Sequence, residues 1–68
     1  SILTAKVKAA LIESDKTKAH QITVETKEGV VHLSGFVNDA TAKAAATDVA
    51  RSVTGVKDVK NDISVKTS

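Results

Sequence analysis

The feature that most constrains the fold is a pair of alternating segments on either side of Glu28-Gly29. Alternation of apolar and polar residues is typical of half-buried strands, and a two-residue loop joins antiparallel strands into a hairpin. In that register Val24 lies opposite Leu33, and the apolar side chains of both strands share one face. A slip of one residue would pair Val24 with His32 and put the two apolar sets on opposite faces. The sequence therefore predicts a hairpin with strands at 21–27 and 30–37.

Gly35 stands on the apolar side of the second strand, where a Val or Leu would be expected. A glycine inside a strand usually marks a bulge or the close approach of another backbone. We interpret Gly35 as the place where a helix lies against the sheet.

Helical periodicity appears on both sides of the hairpin. The first helix is predicted over 2–14, and the run from Glu13 to His20 that follows it is interpreted as a surface loop. The second is predicted over 39–54, with Asp39 as its N-cap and Gly55 as a left-handed residue that ends it. Its buried stripe consists almost entirely of alanine, so the helix can pack closely on the sheet: Ala42, Ala45, Ala46, Val49, Ala50 and Val53.

A last strand is predicted over 58–66, with Val59, Ile63 and Val65 facing inward. Asn61 has the same parity as these apolar residues. Two interpretations remain open for it: it caps the backbone of a bulge or loop, or it serves a bound ion or partner.

The order helix–strand–strand–helix–strand predicts an α+β fold, an αββαβ two-layer sandwich formed by a single domain at 1–68. Both helices cover one face of a mixed three-stranded sheet and leave the other face open. The second and third strands flank a helix, so they are expected to run parallel through a right-handed crossover.

Composition excludes several classes of function. The chain has no cysteine, so it can form neither a disulfide framework nor a thiolate metal site. A net charge of +2 is too small to indicate a nucleic-acid partner. No apolar run reaches the roughly 18 residues of a transmembrane segment, and no signal peptide is recognisable. Because the sequence opens directly on a helical pattern, we expect a mature form or an excised domain.

Catalysis needs titratable groups that converge in a pocket, and the carboxylates here are scattered over loops and outer faces. His20 falls in the loop and His32 on the open sheet face, which makes a metal site shared by the two weakly supported. His32 opposite Glu25 is more simply a cross-strand polar pair. We predict neither an enzyme nor a cofactor nor a metal ion.

The ordered segments resemble the BON domain, the bacterial osmotic-shock and nodulation family. The segments that carry the resemblance are LTAKVKAAL at 3–11, ITV at 22–24, GVVHLSGFV at 29–37, Gly55-Val56, Val59 and NDISV at 61–65. The resemblance implies an αββαβ fold in a periplasmic or cell-envelope protein. It also implies attachment to phospholipid surfaces, as one of several tandem copies or beside another domain. Possible partners are thus an anionic phospholipid surface, another envelope protein or a second BON domain.

Two surfaces compete as the binding site. The first is the outer side of helix 1, where apolar residues are flanked by lysines, a combination that suits an anionic membrane. The candidate lipid-binding residues are Ile2, Ala5, Lys6, Lys8, Ala9 and Ile12. The alternative interpretation is that this stripe is incidental, because alanine is a good helix former.

The second surface is the open sheet face around Phe36, the one aromatic residue of the chain. The candidate partner-binding residues are Phe36, His32, Val30 and Thr23. Alternatively, Phe36 folds over a strand end beside a loop. A third hypothesis is a small cation held by backbone carbonyls near Gly29 or Gly55, for which no side-chain signature exists.

Overall fold

The computed structural model describes residues 1–17 and 21–66. Two helices and three strands follow one another in the predicted αββαβ order: α1 (Ile2–Glu13), β1 (Gln21–Lys27), β2 (Val30–Val37), α2 (Ala40–Arg51) and β3 (Asp58–Val65). The bounds of β1 and β2 match the prediction, α1 and β3 each end one residue earlier, and α2 is shorter at both ends.

The hairpin forms in the predicted register, with Val24 opposite Leu33. Glu28 and Gly29 adopt positive φ angles of 52° and 83°, the conformation of the two-residue turn whose twist matches that of the strands. The stem of Lys57 covers the turn so closely that a Cβ on Gly29 would lie 2.8 Å from its Cδ. The turn is thus held by the residue that precedes β3, at the same end of the sheet.

The sheet is mixed, with β2 in the centre and the order β1-β2-β3. β1 runs antiparallel to β2, and β3 runs parallel to it with Val31 opposite Val59 and Gly35 opposite Ile63. The predicted parallel pairing of the second and third strands is therefore confirmed.

The core lies between the sheet and the two helices and contains no aromatic side chain. β2 contributes Val31, Leu33 and Val37, all of them buried. Small side chains on α2 let this helix approach the sheet closely, as predicted, and the buried ones are Ala42, Ala45, Ala46 and Ala50.

The interpretation of Gly35 was wrong about which element approaches it. Its φ is +120°, and a Cβ there would overlap the carbonyl oxygen of Gln21 and lie 3.3 Å from the Cα of Ile22. These neighbours belong to the backbone of β1, so the glycine accommodates the edge strand rather than a helix. Sequence spacing alone does not reveal whether a neighbouring strand or a helix comes close to this glycine.

The two ends of α2 differ in how well they were predicted. Asp39 is the N-cap, and its Oδ1 accepts the Ala42 N–H at 2.7 Å. Gly55 does not end the helix, which stops at Arg51 with Ser52 in a right-handed conformation. The Ser52 hydroxyl donates to the Val49 carbonyl at 2.6 Å and so satisfies the last turn locally, while Gly55 (φ +102°) lies in the turn that follows.

Two burial predictions also fail. Val65 was expected to face the core but is 40% exposed, because it is the last residue of β3 and the cover of the sheet is incomplete there. Thr17, within the segment interpreted as a surface loop, is only 1% exposed. Its hydroxyl donates to the Leu11 carbonyl at 2.5 Å, which satisfies the polar atom and fastens the chain to the end of α1.

Asn61 caps backbone, as one of its two interpretations proposed. Its Oδ1 accepts the Ile63 N–H at 3.0 Å. Its Nδ2 donates to the Lys43 carbonyl and to the Thr47 hydroxyl, each at 2.7 Å. The amide thus ties β3 to α2.

Candidate functional site

The orientation of α1 is set by contacts of its first turn and by two buried side chains. Ser1 is the N-cap, and its hydroxyl accepts the Thr4 N–H at 3.2 Å. The Thr4 and Thr26 hydroxyls are 2.7 Å apart, which attaches the first turn to β1. Val7 and Leu11 are buried one turn apart on the same side. The opposite side of the helix must therefore face outward.

That outward side is apolar, which is unusual for a helix on the surface of a small domain. Ile2 is 78% exposed and Ile12 is 61% exposed, and both are among the described chain's large apolar residues with the most exposed surface. All six residues predicted for this stripe are exposed and share this side of the helix: Ile2, Ala5, Lys6, Lys8, Ala9 and Ile12. We call them the outer stripe of α1. At 1.5 Å per residue, the 12-residue helix presents it over about 18 Å.

The charge along the outer stripe is positive on both flanks. At 100° per residue, Lys6 and Lys8 stand on opposite sides of the apolar residues, and Glu13 lies near Lys6 at the end of the helix. Within the described residues neither lysine forms an ion pair with a carboxylate. Both ammonium groups are therefore available to an anionic surface that contacts the stripe.

Neither α1 nor α2 is long and apolar enough to traverse a bilayer, within the residues the structure describes.

The four residues predicted on the open sheet face share that face but not one patch. Val30 begins β2 next to the turn, whereas Phe36 lies six residues further along, a separation of about 20 Å in an extended strand. Phe36 is 53% exposed, and the Lys66 Nζ lies 5.4 Å from its ring centroid. Thr23 is opposite Ser34, between His32 and Phe36 along the neighbouring strand.

The polar groups available for a metal are few in the described parts of the chain. His32 lies opposite Glu25, as predicted, but His20 falls outside the described residues, so their proposed shared site is not described. No cluster of three or more His, Cys, Asp or Glu side chains occurs among the residues described. The Gly29 carbonyl, one candidate cation ligand, accepts the Lys57 N–H at 2.8 Å.

A groove that the sequence did not indicate runs between the end of α1 and α2. Its volume is about 690 Å³, and its floor consists of small side chains of α2. The lining residues are Ser14, Asp15, Lys16, Ala40, Thr41, Ala44, Ala45, Asp48 and Val49. In the sequence, a small apolar residue on the outer side of α2, Ala44, could have indicated this groove, but only the packing of α1 beside α2 brings the lining residues together.

Comparison with known proteins agrees with this architecture. The family model of the BON domain matches residues 1–67. Osmotically-inducible protein Y of Escherichia coli (strain K12) is 41% identical over 63 residues, which are 93% of this chain and 31% of that protein. The chain thus spans about a third of the length of this relative. With the predicted fold present and the family model matched almost end to end, the chain belongs to the BON domain family.

Proposed function

We propose that this chain is a non-enzymatic binding module of the bacterial cell envelope that attaches to anionic phospholipid surfaces through the outer stripe of α1. In this role it would support envelope integrity or protection against osmotic stress. The observation that carries the proposal is the exposure of Ile2 and Ile12 on the side of α1 opposite its buried face.

Transfer of the apolar side chains of the outer stripe from water into the membrane surface is favourable. Full burial of an isoleucine side chain is worth about 1.5–3 kcal/mol, and each of the two isoleucines has well over half of its surface free. Insertion of the helix into the headgroup boundary would therefore gain about 3 kcal/mol of burial free energy from the two isoleucines. Ala5 and Ala9 between them let the helix lie flat on the surface.

The lysines supply selectivity for anionic lipid. Each basic residue close to a negatively charged leaflet contributes about 1 kcal/mol, so Lys6 and Lys8 add about 2 kcal/mol. Together with the isoleucines this corresponds to a partition constant on the order of 10³–10⁴ M⁻¹, comparable to that of a single myristoyl chain. Attachment by one copy is thus weak and reversible, and it requires millimolar lipid to be measured.

Placement in the envelope and a link to osmotic stress are supported by family membership and by the relative. The E. coli protein is named as osmotically inducible, and 93% of this chain aligns with it. Because the chain corresponds to only 31% of that protein, this part of the proposal concerns one module within a larger context.

Co-sedimentation with vesicles tests the proposal. We expect binding to vesicles containing phosphatidylglycerol, weaker binding to phosphatidylcholine alone, and a decrease as salt is raised. The double variant Ile2→Asp with Lys6→Glu should lower the partition constant more than tenfold. Phe36→Ser, which also removes an exposed apolar side chain but from the other face, is the matched control and should bind as the unmodified chain does. Binding that is unchanged in the double variant would refute the outer stripe as the site.

The exposed Phe36 favours a second candidate, a protein partner on the open sheet face. Aromatic side chains are enriched at the centres of protein interfaces, and half of this ring is free of contacts within the domain. The candidate predicts that an envelope protein co-purifies with the unmodified chain and not with Phe36→Ser, while vesicles bind neither. Vesicle binding that is retained in Phe36→Ser would support the outer stripe of α1 and contradict the open sheet face.

A further inference from the structure

The groove between α2 and the segment 14–16 opens on the same side of the domain as the outer stripe of α1. The α2 residues that face the sheet are buried, whereas several that line the groove are exposed: Ala40, Thr41, Ala44 and Asp48. The outer stripe likewise lies opposite the buried side of α1, and its last member, Ile12, stands just before the groove begins at Ser14. A membrane that contacts the outer stripe therefore also covers the mouth of the groove.

The groove combines an apolar floor with two charged side chains on its walls. Alanines of α2 form the floor. The Asp48 carboxylate on α2 and the Lys16 ammonium on the opposite wall take part in no ion pair or side-chain hydrogen bond among the described residues. With Asp15 at the rim, the lining has one more negative than positive charge. A complementary ligand is therefore small and presents a cation to Asp48 and an anion to Lys16.

We propose that the groove binds the headgroup of phosphatidylethanolamine, whose ammonium pairs with Asp48 and whose phosphate pairs with Lys16. A short linker joins these two groups in the lipid, so both can enter the groove together. This inference rests on the proposed function, because the outer stripe brings the domain to the bilayer that contains the headgroup. The lysines of the stripe then contact anionic lipid, and the groove adds a preference among the lipids without net charge.

The groove favours a primary ammonium over the trimethylated ammonium of phosphatidylcholine. Quaternary ammonium groups are bound by aromatic cages, but the single aromatic residue of this chain, Phe36, lies on the open sheet face. A primary ammonium donates charge-assisted hydrogen bonds to a carboxylate, which a trimethylated ammonium cannot do. Asp48 is therefore the residue that distinguishes the two headgroups, whereas Lys16 contacts a phosphate that both lipids contain.

Co-sedimentation with two kinds of vesicle tests this preference. Both contain the same fraction of phosphatidylglycerol, and the remaining lipid is either phosphatidylethanolamine or phosphatidylcholine. The ratio of the two partition constants is the readout, because the attraction of the lysines to phosphatidylglycerol cancels in it. We expect the unmodified chain to bind the phosphatidylethanolamine vesicles roughly threefold more tightly, which is the gain from one partly exposed ion pair.

Variants at exposed positions separate the groove from the bilayer itself. Asp48→Asn removes the partner of the ammonium, and Ala44→Leu fills the floor of the groove, so each should bring the ratio close to unity. Asp62→Asn, the matched control, removes an equal charge from the open sheet face and should retain the ratio of the unmodified chain. Insertion of an amphipathic helix depends on lipid composition in general. A preference that persists in Asp48→Asn would therefore belong to the bilayer and would overturn the inference.

Binding that depends on phosphatidylglycerol and on the outer stripe, but is equal for both kinds of vesicle, would overturn the headgroup site and leave the proposed function intact. A ratio that falls in Asp62→Asn as much as in Asp48→Asn would assign the preference to net charge and would also overturn the site. Absence of binding to either kind of vesicle would overturn the headgroup site and the proposed function together.

Discussion

Replacing Gly35 by alanine should be the most damaging single-methyl change in the sheet. The φ of +120° is strained for any residue with a Cβ, at a cost of about 1–3 kcal/mol. The new methyl group would also overlap the Gln21 carbonyl oxygen, and the other near atoms are backbone atoms that cannot rotate away. Moving β1 aside costs a further 1–3 kcal/mol or so and weakens a hydrogen bond worth about 1 kcal/mol. The expected loss of unfolding free energy is thus about 3–7 kcal/mol.

Gly55→Ala is the matched control for this prediction. Gly55 also has a positive φ, of +102°, but a Cβ there would meet only the Leu3 Cδ1 at 3.5 Å, an ordinary contact. The control carries the backbone strain without the overlap, and both variants lower the entropy of the unfolded chain equally.

The assay is reversible thermal and urea denaturation followed by circular dichroism. For a domain of this size each kcal/mol lowers the Tm by about 4–8 °C, so Gly35→Ala should unfold at least 10 °C below Gly55→Ala. Because small domains are stable by only about 5 kcal/mol, the Gly35 variant should be near its midpoint at room temperature. Equal stability of the two variants would refute the reasoning that the β1 backbone, rather than the φ angle alone, demands glycine at position 35.

Three further predictions concern the Asn61 hydrogen bonds, the packing of α2 on the sheet and the hypothesis of a bound cation. Asn61→Ala should lower the unfolding free energy by about 2–3 kcal/mol in urea denaturation, because the Lys43 carbonyl and a β3 amide lose their partner; a change below 0.5 kcal/mol would contradict this. Ala46→Val, at a fully buried site, should cost about 1–3 kcal/mol in thermal unfolding, while Ala44→Val on the exposed side of α2 should be within about 0.5 kcal/mol of the unmodified chain. If backbone carbonyls near Gly29 hold a cation, the Tm should rise with one particular cation at constant ionic strength; equal Tm values in all salts would exclude that hypothesis.

The hairpin was predictable because its information is local. The side-chain period of a strand is two, so one face can bury the apolar residues only when Val24 meets Leu33, and the Glu28-Gly29 turn sets the same register independently. The Asp39 cap was predictable for the same reason, since a short acidic side chain before a helical stripe reaches the first-turn amides.

The candidate site was predictable where one element contains it. The outer stripe of α1 follows from residue spacing on a single helix, and all six predicted residues are exposed on one side. The patch on the open sheet face was less predictable. Alternation along β2 places Val30 and Phe36 on one face, but a single patch also requires the two side chains to be close together, and the extended geometry of β2 separates them.

The sequence by itself determined the element order, the hairpin register and the two-sided character of α1, since each depends on the repeat of one helix or of one strand pair. Only the tertiary structure decided that β1 approaches Gly35, that Thr17 is buried, that Val65 is exposed and that Asn61 bridges β3 to α2. Each of these depends on how closely the atoms of another element approach the residue, and the spacing of residues along the sequence does not determine that distance.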